Sequence, residues 1–359
     1  MNKISLANIG LTEATAQEAS RYKGLFLARV SAQHKDLYRA ITENGEMHAA
    51  ISGKLGYAAN DLPDYPAVGD WVMVDRPDDR GGHAVIEHIL KRRTVFMRKA
   101  AGTAVHGQIV AANIDNLFIC MSLNNDFNLR RLERYLAIAW DGGAIPVVVL
   151  TKADLSSSLE DQLAQISRTA IGVAVLVTTC LHEDGHQAVL EYLKPGKTVA
   201  FIGSSGVGKS TLINRLLGES RLATYTVGAE DRGRHTTTAR QLIPLPGGCV
   251  VIDTPGMREL QLERADLSQT FSDIEYFSKQ CRFIDCRHEN EPGCAVKAAI
   301  FTGQLEPERL SSYNKLQIEL SYQSLTSRQL EQEKFTRMMG SMGGVKQARA
   351  FVKEKNKHR

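Results

Sequence analysis

Between residues 24 and 90, short segments of the chain alternate apolar and polar residues. There are five such segments, and turn residues such as Asn44-Gly45 and Gly81-Gly82 separate several of them. Short strands at this spacing predict a small all-β barrel over residues 21–100, with the OB-fold as the obvious candidate. Such a barrel either binds nucleic acid or serves only for packing. Residues 1–20 are polar and lack clear periodicity, so we expect a mobile N-terminal arm.

Beyond residue 100, buried apolar runs alternate with amphipathic stretches. The runs read NLFICMSL, PVVVL, VAVLVTT, TVAFIG and CVVID, and LRRLERYLAIAW is an amphipathic stretch between two of them. Continuous apolar runs are typical of parallel strands that are covered on both faces. The pattern over residues 101–265 therefore predicts a doubly wound α/β domain with its ligand at the carboxyl ends of the strands. We expect residues 266–338 to form a mostly helical domain and residues 339–359 a basic tail.

A phosphate-binding loop follows the run TVAFI. Its sequence, GSSGVGKS, satisfies the pattern GxxxxGK[ST] and lies between a predicted strand and a predicted helix. Backbone N–H groups of such a loop surround a phosphate, Lys209 reaches the β- and γ-phosphates, and the Ser210 hydroxyl binds Mg²⁺. The residues predicted to bind nucleotide here are Gly203, Ser204, Ser205, Gly206, Val207, Gly208, Lys209, Ser210 and Thr211.

A second phosphate-facing motif, Asp253-Thr254-Pro255-Gly256, follows the run CVVI. An aspartate at a strand end followed by a glycine supports Mg²⁺ and places a backbone N–H on the γ-phosphate. Asp253 and Gly256 are therefore candidate catalytic residues together with Lys209.

A candidate switch segment, Gly233-Arg234-His235-Thr236-Thr237-Thr238, lies between the two phosphate motifs. One of its threonines would offer a second hydroxyl to Mg²⁺, and Thr236 is the candidate among the three. Met257 stands where many GTPases have a glutamine that orients the attacking water, which predicts slow hydrolysis by the isolated protein. His235 is the candidate substitute for that glutamine, and a solvent-exposed loop histidine is the alternative.

The tetrapeptide Thr151-Lys152-Ala153-Asp154 follows the run PVVVL and is the candidate base-binding loop. The carboxylate of Asp154 can accept hydrogen bonds from N1–H and the exocyclic amine of guanine, a donor pair that adenine lacks. The stem of Lys152 would cover the base, and Thr151 stands where asparagine is usual. Thr178-Thr179-Cys180 is the candidate for a second, weaker base-contacting loop.

The order of these motifs is unusual. The base loop precedes the phosphate loop by about fifty residues, whereas ordinary GTPase domains place it after the DxxG motif. The order predicts a circularly permuted P-loop GTPase domain, in which strand pairing still assembles one nucleotide site. The permutation also connects DTPGMREL directly to the C-terminal segment, so we expect that segment to respond to the γ-phosphate.

Four possible metal ligands lie within fourteen positions: Cys281, Cys286, His288 and Cys294. Three thiols and one imidazole complete a tetrahedral set and leave no position for a substrate water, so a single structural Zn²⁺ is predicted rather than a catalytic one. A chance cluster of buried thiols is the alternative interpretation.

The composition and the charge of the chain indicate its cellular compartment and the kind of partner it binds. The 359 residues carry a net charge of +4, and no apolar run approaches the roughly 20 residues of a membrane span. We therefore expect a cytoplasmic protein without membrane contact. Basic residues cluster near the end of the barrel and in the tail, which favours RNA as a partner. They are Lys91, Arg92, Arg93, Arg98, Lys99, Lys346, Arg349, Lys353, Lys355, Lys357 and Arg359.

The barrel, the permuted motifs and the segment CRFIDCRHENEPGCAV together resemble the RsgA/YjeQ family of ribosome small-subunit-dependent GTPases. GRHTTT and DTPGMREL are similar to the switch segments of that family, and the resemblance covers nearly the whole chain. It implies an OB-fold, a permuted GTPase domain that binds GTP with Mg²⁺, and a zinc domain. It also implies GTP hydrolysis stimulated by the small ribosomal subunit during late assembly, and a histidine of GRHTT in catalysis.

Two other functions compete with this interpretation. A different permuted GTPase would act on the large subunit, although the leading barrel and the Cys₃His set argue against it. An RNA-binding assembly scaffold would hold GTP with little turnover, and Met257 is compatible with that role. We expect a monomer that binds GTP or GDP and the RNA of the small subunit.

Overall fold

The computed structural model describes residues 3–34, 37–59, 62–98, 107–124, 126–179, 185–218, 241–253, 262 and 266–322, together with 329 and 332. Met1–Leu310 and Ser311–Arg359 are two compact units. Within the described residues, no helix combines the length and the apolar character that crossing a membrane requires.

The N-terminal segment is helical and partly buried. A 3₁₀ turn, Leu6–Ile9, is followed by helix α1, Glu13–Ala19, whose first turn is capped by the side chain of Thr12. Leu6 and Ile9 are both buried. Part of this segment is therefore folded, which the lack of periodicity does not predict, and its role as a mobile arm stays a prediction. The buried apolar residues of this segment, Leu6, Ile9 and Ala19, are too few to produce a periodic pattern.

Five antiparallel and parallel strands then form a closed barrel. They are β1 (Phe26–His34), β2 (Leu37–Thr42), β3 (Gly45–Ile51), β4 (Trp71–Val74) and β5 (Ala84–Ile89), with the short helix α2 (Gly53–Ala58) after β3. The strand order is β1-β2-β3-β5-β4, and β4 also pairs with β1, which closes the barrel. Inward-facing residues such as Val30, Met47 and Ile86 fill its interior. The predicted barrel is confirmed.

A hairpin of two strands follows, β6 (Val95–Arg98) and β7 (Gln108–Ala112). The sequence pattern does not predict this pair, and the predicted domain boundary near residue 100 falls between its strands. Where the domains begin and end therefore stays a prediction.

The described residues of the α/β region form six further strands and four α-helices. The strands are β8 (Asn116–Ser122), β9 (Ile145–Thr151), β10 (Ala174–Val177), β11 (Thr198–Ile202), β12 (Gln241–Pro244) and β13 (Val250–Asp253). The helices are α3 (Leu129–Asp141), α4 (Leu159–Thr169), α5 (Gln187–Leu190) and α6 (Lys209–Leu217). All five predicted apolar runs are strands; β12 is an additional short strand.

The spatial order of these strands is β10-β9-β8-β11-β13-β12. The first five are parallel, so their carboxyl ends lie along one edge of the sheet. Strand β9, which carries the base loop, is separated by β8 alone from β11, which carries the phosphate loop. Pairing thus brings together segments that the chain presents in permuted order. Strand β12 runs antiparallel to β13 and also pairs with β1, which connects the barrel to this sheet.

Among the residues described after the sheet are three helices, α7 (Ser272–Ser278), α8 (Ala295–Phe301) and α9 (Pro307–Ser321). They agree with the prediction of a mostly helical C-terminal domain. Residues 333–359, which include the basic tail, lie outside the described residues.

A fully buried arginine joins the N-terminal segment, the barrel and the α/β region. The guanidinium of Arg29 donates hydrogen bonds to the carbonyls of Ile9, Gly69 and Asn113 and lies over the ring of Trp71. Burial lowers the pKa of Arg29 to about 9, mainly by desolvation, so the side chain is still protonated at neutral pH.

We expect Arg29→Met to lower the free energy of unfolding by about 3 kcal/mol, because the buried carbonyls of Ile9 and Asn113 lose the arginine donor and that of Gly69 keeps the amide of Asn113. Urea unfolding followed by circular dichroism measures the change. Arg80→Met is the matched control, since Arg80 is an exposed barrel arginine that is paired with Asp78. Equal stabilities of the two variants would show that water replaces the lost donors.

Candidate nucleotide site and metal cluster

The phosphate loop has the backbone shape that its glycines predict. It connects the end of β11 to the start of α6, and Gly203, Gly206 and Gly208 all have positive φ angles (149°, 73° and 99°). At Gly203 a Cβ atom would lie 2.3 Å from the carbonyl oxygen of Cys120 in the neighbouring strand β8, so any side chain is excluded there.

Lys209, the first residue of α6, folds back across this loop. Its Nζ donates to the carbonyl oxygens of Gly203 at 2.8 Å and Ser204 at 2.6 Å. Ser210 and Thr211 follow in the first helical turn, where backbone N–H groups point toward the loop. The N-terminus of a helix and a lysine together favour an anion at this position.

Asp253 ends β13, the strand next to β11. Burial raises the pKa of its carboxyl, and the charge of Lys209 opposes that shift. The carboxylate and the ammonium group are therefore close enough to interact across the strand ends. This is the placement that the DxxG motif needs in order to support a cation beside the phosphates.

The base loop lies on the side of the phosphate loop opposite to Asp253, and a hydrogen bond joins the two loops. Thr151, the last residue of β9, donates its hydroxyl to the carbonyl of Val207 at 2.5 Å. Lys152 has a positive φ of 56°, which is uncommon for a residue with a side chain and turns the chain sharply after the strand. The threonine that stands in place of asparagine thus connects the two loops directly.

Asp154 is exposed at the start of a short 3₁₀ turn. Thr179 donates its hydroxyl to Oδ1 of this carboxylate at 2.6 Å, and the N–H of Ala153 donates to the carbonyl of Thr178 at 3.2 Å. The loop after β10 therefore holds the base loop, which is the arrangement that two base-contacting loops require.

Several predicted residues fall outside the described part of the chain. They are Cys180, His235, Thr236, Gly256 and Met257. Their catalytic and magnesium-binding roles stay predictions.

The four possible zinc ligands come together. Their ligand atoms all lie within 4.8 Å of one another. Nδ1 of His288 is 3.7 Å from Sγ of Cys281 and 3.4 Å from Sγ of Cys294, and these two sulfur atoms are 4.0 Å apart. Ligands bound tetrahedrally at the usual zinc–sulfur length are about 3.8 Å apart, so the four side chains fit one zinc ion.

Local backbone features bring these ligands into position. Gly293 has a φ of 76°, and its carbonyl accepts a hydrogen bond from the N–H of Arg282, which places the last ligand beside the first. The sulfur of Cys294 also accepts a hydrogen bond from the N–H of Lys297 and so caps α8. The segment thus carries a ligand set in a region with few buried apolar residues.

The basic residues near the barrel have different surroundings. Arg92 is largely buried, forms an ion pair with Asp70 at 2.7 Å, and donates to the carbonyls of Pro63 and Tyr65. It holds the barrel together and is unsuited to contact RNA phosphates. Arg93 pairs with Asp115 at 3.1 Å on the surface. The side chains of Arg98 and Lys99 lie outside the described residues.

The sequence matches known proteins over most of its length. A family model described as RsgA GTPase matches residues 89–263. A model for ABC transporters matches residues 187–355, a range that includes the phosphate loop, whose pattern occurs in ATPases as well as GTPases. The chain is 52% identical to the small ribosomal subunit biogenesis GTPase RsgA 2 of Lactiplantibacillus plantarum, over 96% of this chain and 98% of the relative.

Two solved structures have a fold similar to that of this chain. The crystal structure of YjeQ from Thermotoga maritima superimposes with a TM-score of 0.62 at 26% identity, covering 82% of this chain and 98% of that one. YloQ, described as a circularly permuted GTPase, gives a TM-score of 0.59 at 23% identity and shows the same fold, covering 84% of this chain and 97% of the other. With a relative this similar over nearly the whole chain, the protein is a GTP hydrolase that belongs to the RsgA GTPase family.

Proposed function

We propose that this GTPase binds the small ribosomal subunit, is stimulated by it, and assists its late maturation. The observation that carries the proposal is the hydrogen bond from Thr151 to the carbonyl of Val207, which joins the predicted base loop to the predicted phosphate loop as one GTP site requires. The name of the relative from Lactiplantibacillus plantarum, a small ribosomal subunit biogenesis GTPase, supports the choice of partner.

In this proposal each motif has one task. Asp154 selects guanine, Lys152 covers the base, and Lys209 holds the β- and γ-phosphates with the help of the loop N–H groups. Mg²⁺ would neutralise charge on the phosphates when bound, held by Ser210 and Thr236 and supported by Asp253.

His235 would orient the attacking water, because the thioether of Met257 is a poor hydrogen-bond partner. Gly256 would offer its N–H to the γ-phosphate. Contact with the small subunit would place the switch segment that carries His235, which accounts for stimulation.

We propose that the four-ligand cluster holds one structural Zn²⁺, and that the protein acts as a monomer in the cytoplasm, where it binds ribosomal RNA. The closed barrel and the zinc cluster support an RNA partner, because both are modules that commonly bind nucleic acid.

The deciding experiment compares GTP turnover by the protein alone, with purified small subunits and with purified large subunits. We expect small subunits to raise kcat at least tenfold or so, as an activator that completes a GTPase site does, and large subunits to have little effect. His235→Ala should lose most of the stimulation. Equal rates in the three reactions would instead indicate a GTPase with another partner, and stimulation by large subunits alone would overturn the proposal.

A further inference from the structure

Helix α3 places an arginine against the phosphate loop. The Nη1 atom of Arg131 donates a hydrogen bond to Oγ of Ser204, the second residue of the loop, although the two residues are 73 positions apart in sequence. None of the motifs in the sequence includes this arginine. It nevertheless makes a direct contact between α3 and the predicted phosphate loop.

The guanidinium is held from a second side. Nη1 also donates to Oδ1 of Asp126 at 2.6 Å, and this carboxylate lies in the connection between β8 and α3. Asn128 caps the helix by accepting a hydrogen bond from the N–H of Arg131 at 3.0 Å. Backbone and side chain of Arg131 are therefore both fixed, which limits the conformations open to the contact with Ser204.

Ser204 accepts hydrogen bonds from two cationic side chains. Lys209 donates to its carbonyl oxygen, and Arg131 donates to its hydroxyl oxygen. Charge-assisted hydrogen bonds are about twice as strong as neutral ones, so the start of the loop is held from the side of α6 and from the side of α3. We propose that Arg131 is a positioning residue for GTP hydrolysis, which acts through Ser204 to fix the first turn of the phosphate loop.

Its neighbour Arg130 has a different role and is a matched control. Arg130 lies on the same helical turn, but its partners are Glu133 at 2.6 Å and Glu306 at 3.7 Å, and neither belongs to the loop. Removal of either arginine deletes one positive charge from α3. Only removal of Arg131 releases Ser204.

The experiment measures GTP hydrolysis without ribosomal subunits, so its result is independent of the proposed partner. We expect Arg131→Met to lower kcat about tenfold while KM changes less than about threefold, because phosphate alignment is more sensitive to small displacements than binding is. Arg130→Met should stay within about twofold of the natural protein in both constants. Arg131→Lys, which keeps the charge, should recover part of kcat.

The variant Ser204→Ala removes the same contact from the loop side. If Arg131 acts through Ser204, the double variant should be no slower than the slower single variant. Nucleotide titration gives the fraction of active protein, and thermal unfolding separates a loss of stability from a loss of turnover. If Arg131→Met does not fold, Ser204→Ala alone still tests the contact, and unchanged kcat in that variant overturns the proposal. The proposal is also overturned if the two substitutions multiply their effects on kcat in the double variant, or if Arg131→Met and Arg130→Met have equal kcat.

Discussion

Replacement of Asp154 by asparagine should change the preferred nucleotide from GTP to xanthosine triphosphate. In the proposed site the carboxylate would accept two hydrogen bonds from guanine, whereas an amide offers one acceptor and one donor. Xanthine has a carbonyl oxygen where guanine has its amine, so it matches the amide. We expect the Kd for GTP to rise at least about 100-fold, since a site built to hydrogen-bond one ligand group strongly rejects a ligand that mispairs with it. Competition against a fluorescent GDP analogue measures both nucleotides.

The surroundings of Asp154 determine how an asparagine side chain would be oriented at this position. Thr179 donates its hydroxyl to Oδ1 at 2.6 Å, and an asparagine that keeps its oxygen at that position places its nitrogen at the other. The matched control is Asp161→Asn, because Asp161 is an exposed aspartate in the first turn of α4. The control should bind GTP normally. If Asp154→Asn retains the affinity for GTP, Asp154 is not the guanine-binding residue.

Each motif that is visible in the sequence consists of residues that lie close together along the chain. A phosphate loop, a base loop and a zinc cluster each reveal themselves through residues a few positions apart, because backbone geometry and metal geometry impose that spacing. The strands were predictable for a similar reason, since a buried parallel strand needs an unbroken apolar run. For these parts, local chemistry carries enough information to predict the fold class and the nucleotide.

The contacts that the sequence does not reveal join distant segments. Thr151 and Val207 are 56 positions apart, and Arg29 bonds Asn113 across 84 positions. No local pattern indicates which arginine becomes buried or which strand pairs with a distant one. The interpretation of Arg92 as an RNA contact is wrong for this reason, because its partner Asp70 lies 22 positions earlier in the chain.

Thr151 shows how structure changes the meaning of a substitution. In the sequence it is only a departure from the usual asparagine. In the fold its hydroxyl holds the phosphate loop, a bond that an asparagine could also make through its amide. We therefore propose two tasks for the base loop: to contact guanine through Asp154, and to anchor the predicted phosphate loop through Thr151.

Loss of one metal ligand should remove zinc from the protein. In Cys294→Ser the hydroxyl can still cap α8, as the sulfur does by accepting from the N–H of Lys297, so the variant separates metal binding from helix capping. A serine hydroxyl does not ionise as a thiol does, and we expect zinc affinity to fall at least about a hundredfold. Elemental analysis after dialysis against a chelator of moderate affinity should find about one zinc per chain in the natural protein and little in the variant.

The effect on folding should be confined to the C-terminal segment, because the four possible zinc ligands lie there and the proposed nucleotide site lies at the strand ends of the sheet. Limited proteolysis should therefore cut residues 281–294 faster in Cys294→Ser, while GDP binding stays within about twofold of normal. Cys249→Ala is the matched control, because Cys249 is buried in the sheet core and lies outside the cluster. A natural protein without zinc, or a Cys294→Ser protein that keeps a full equivalent, would show that these four side chains merely pack together. If GDP binding fell together with the metal, the cluster would instead support the nucleotide site, and the two regions would unfold as one.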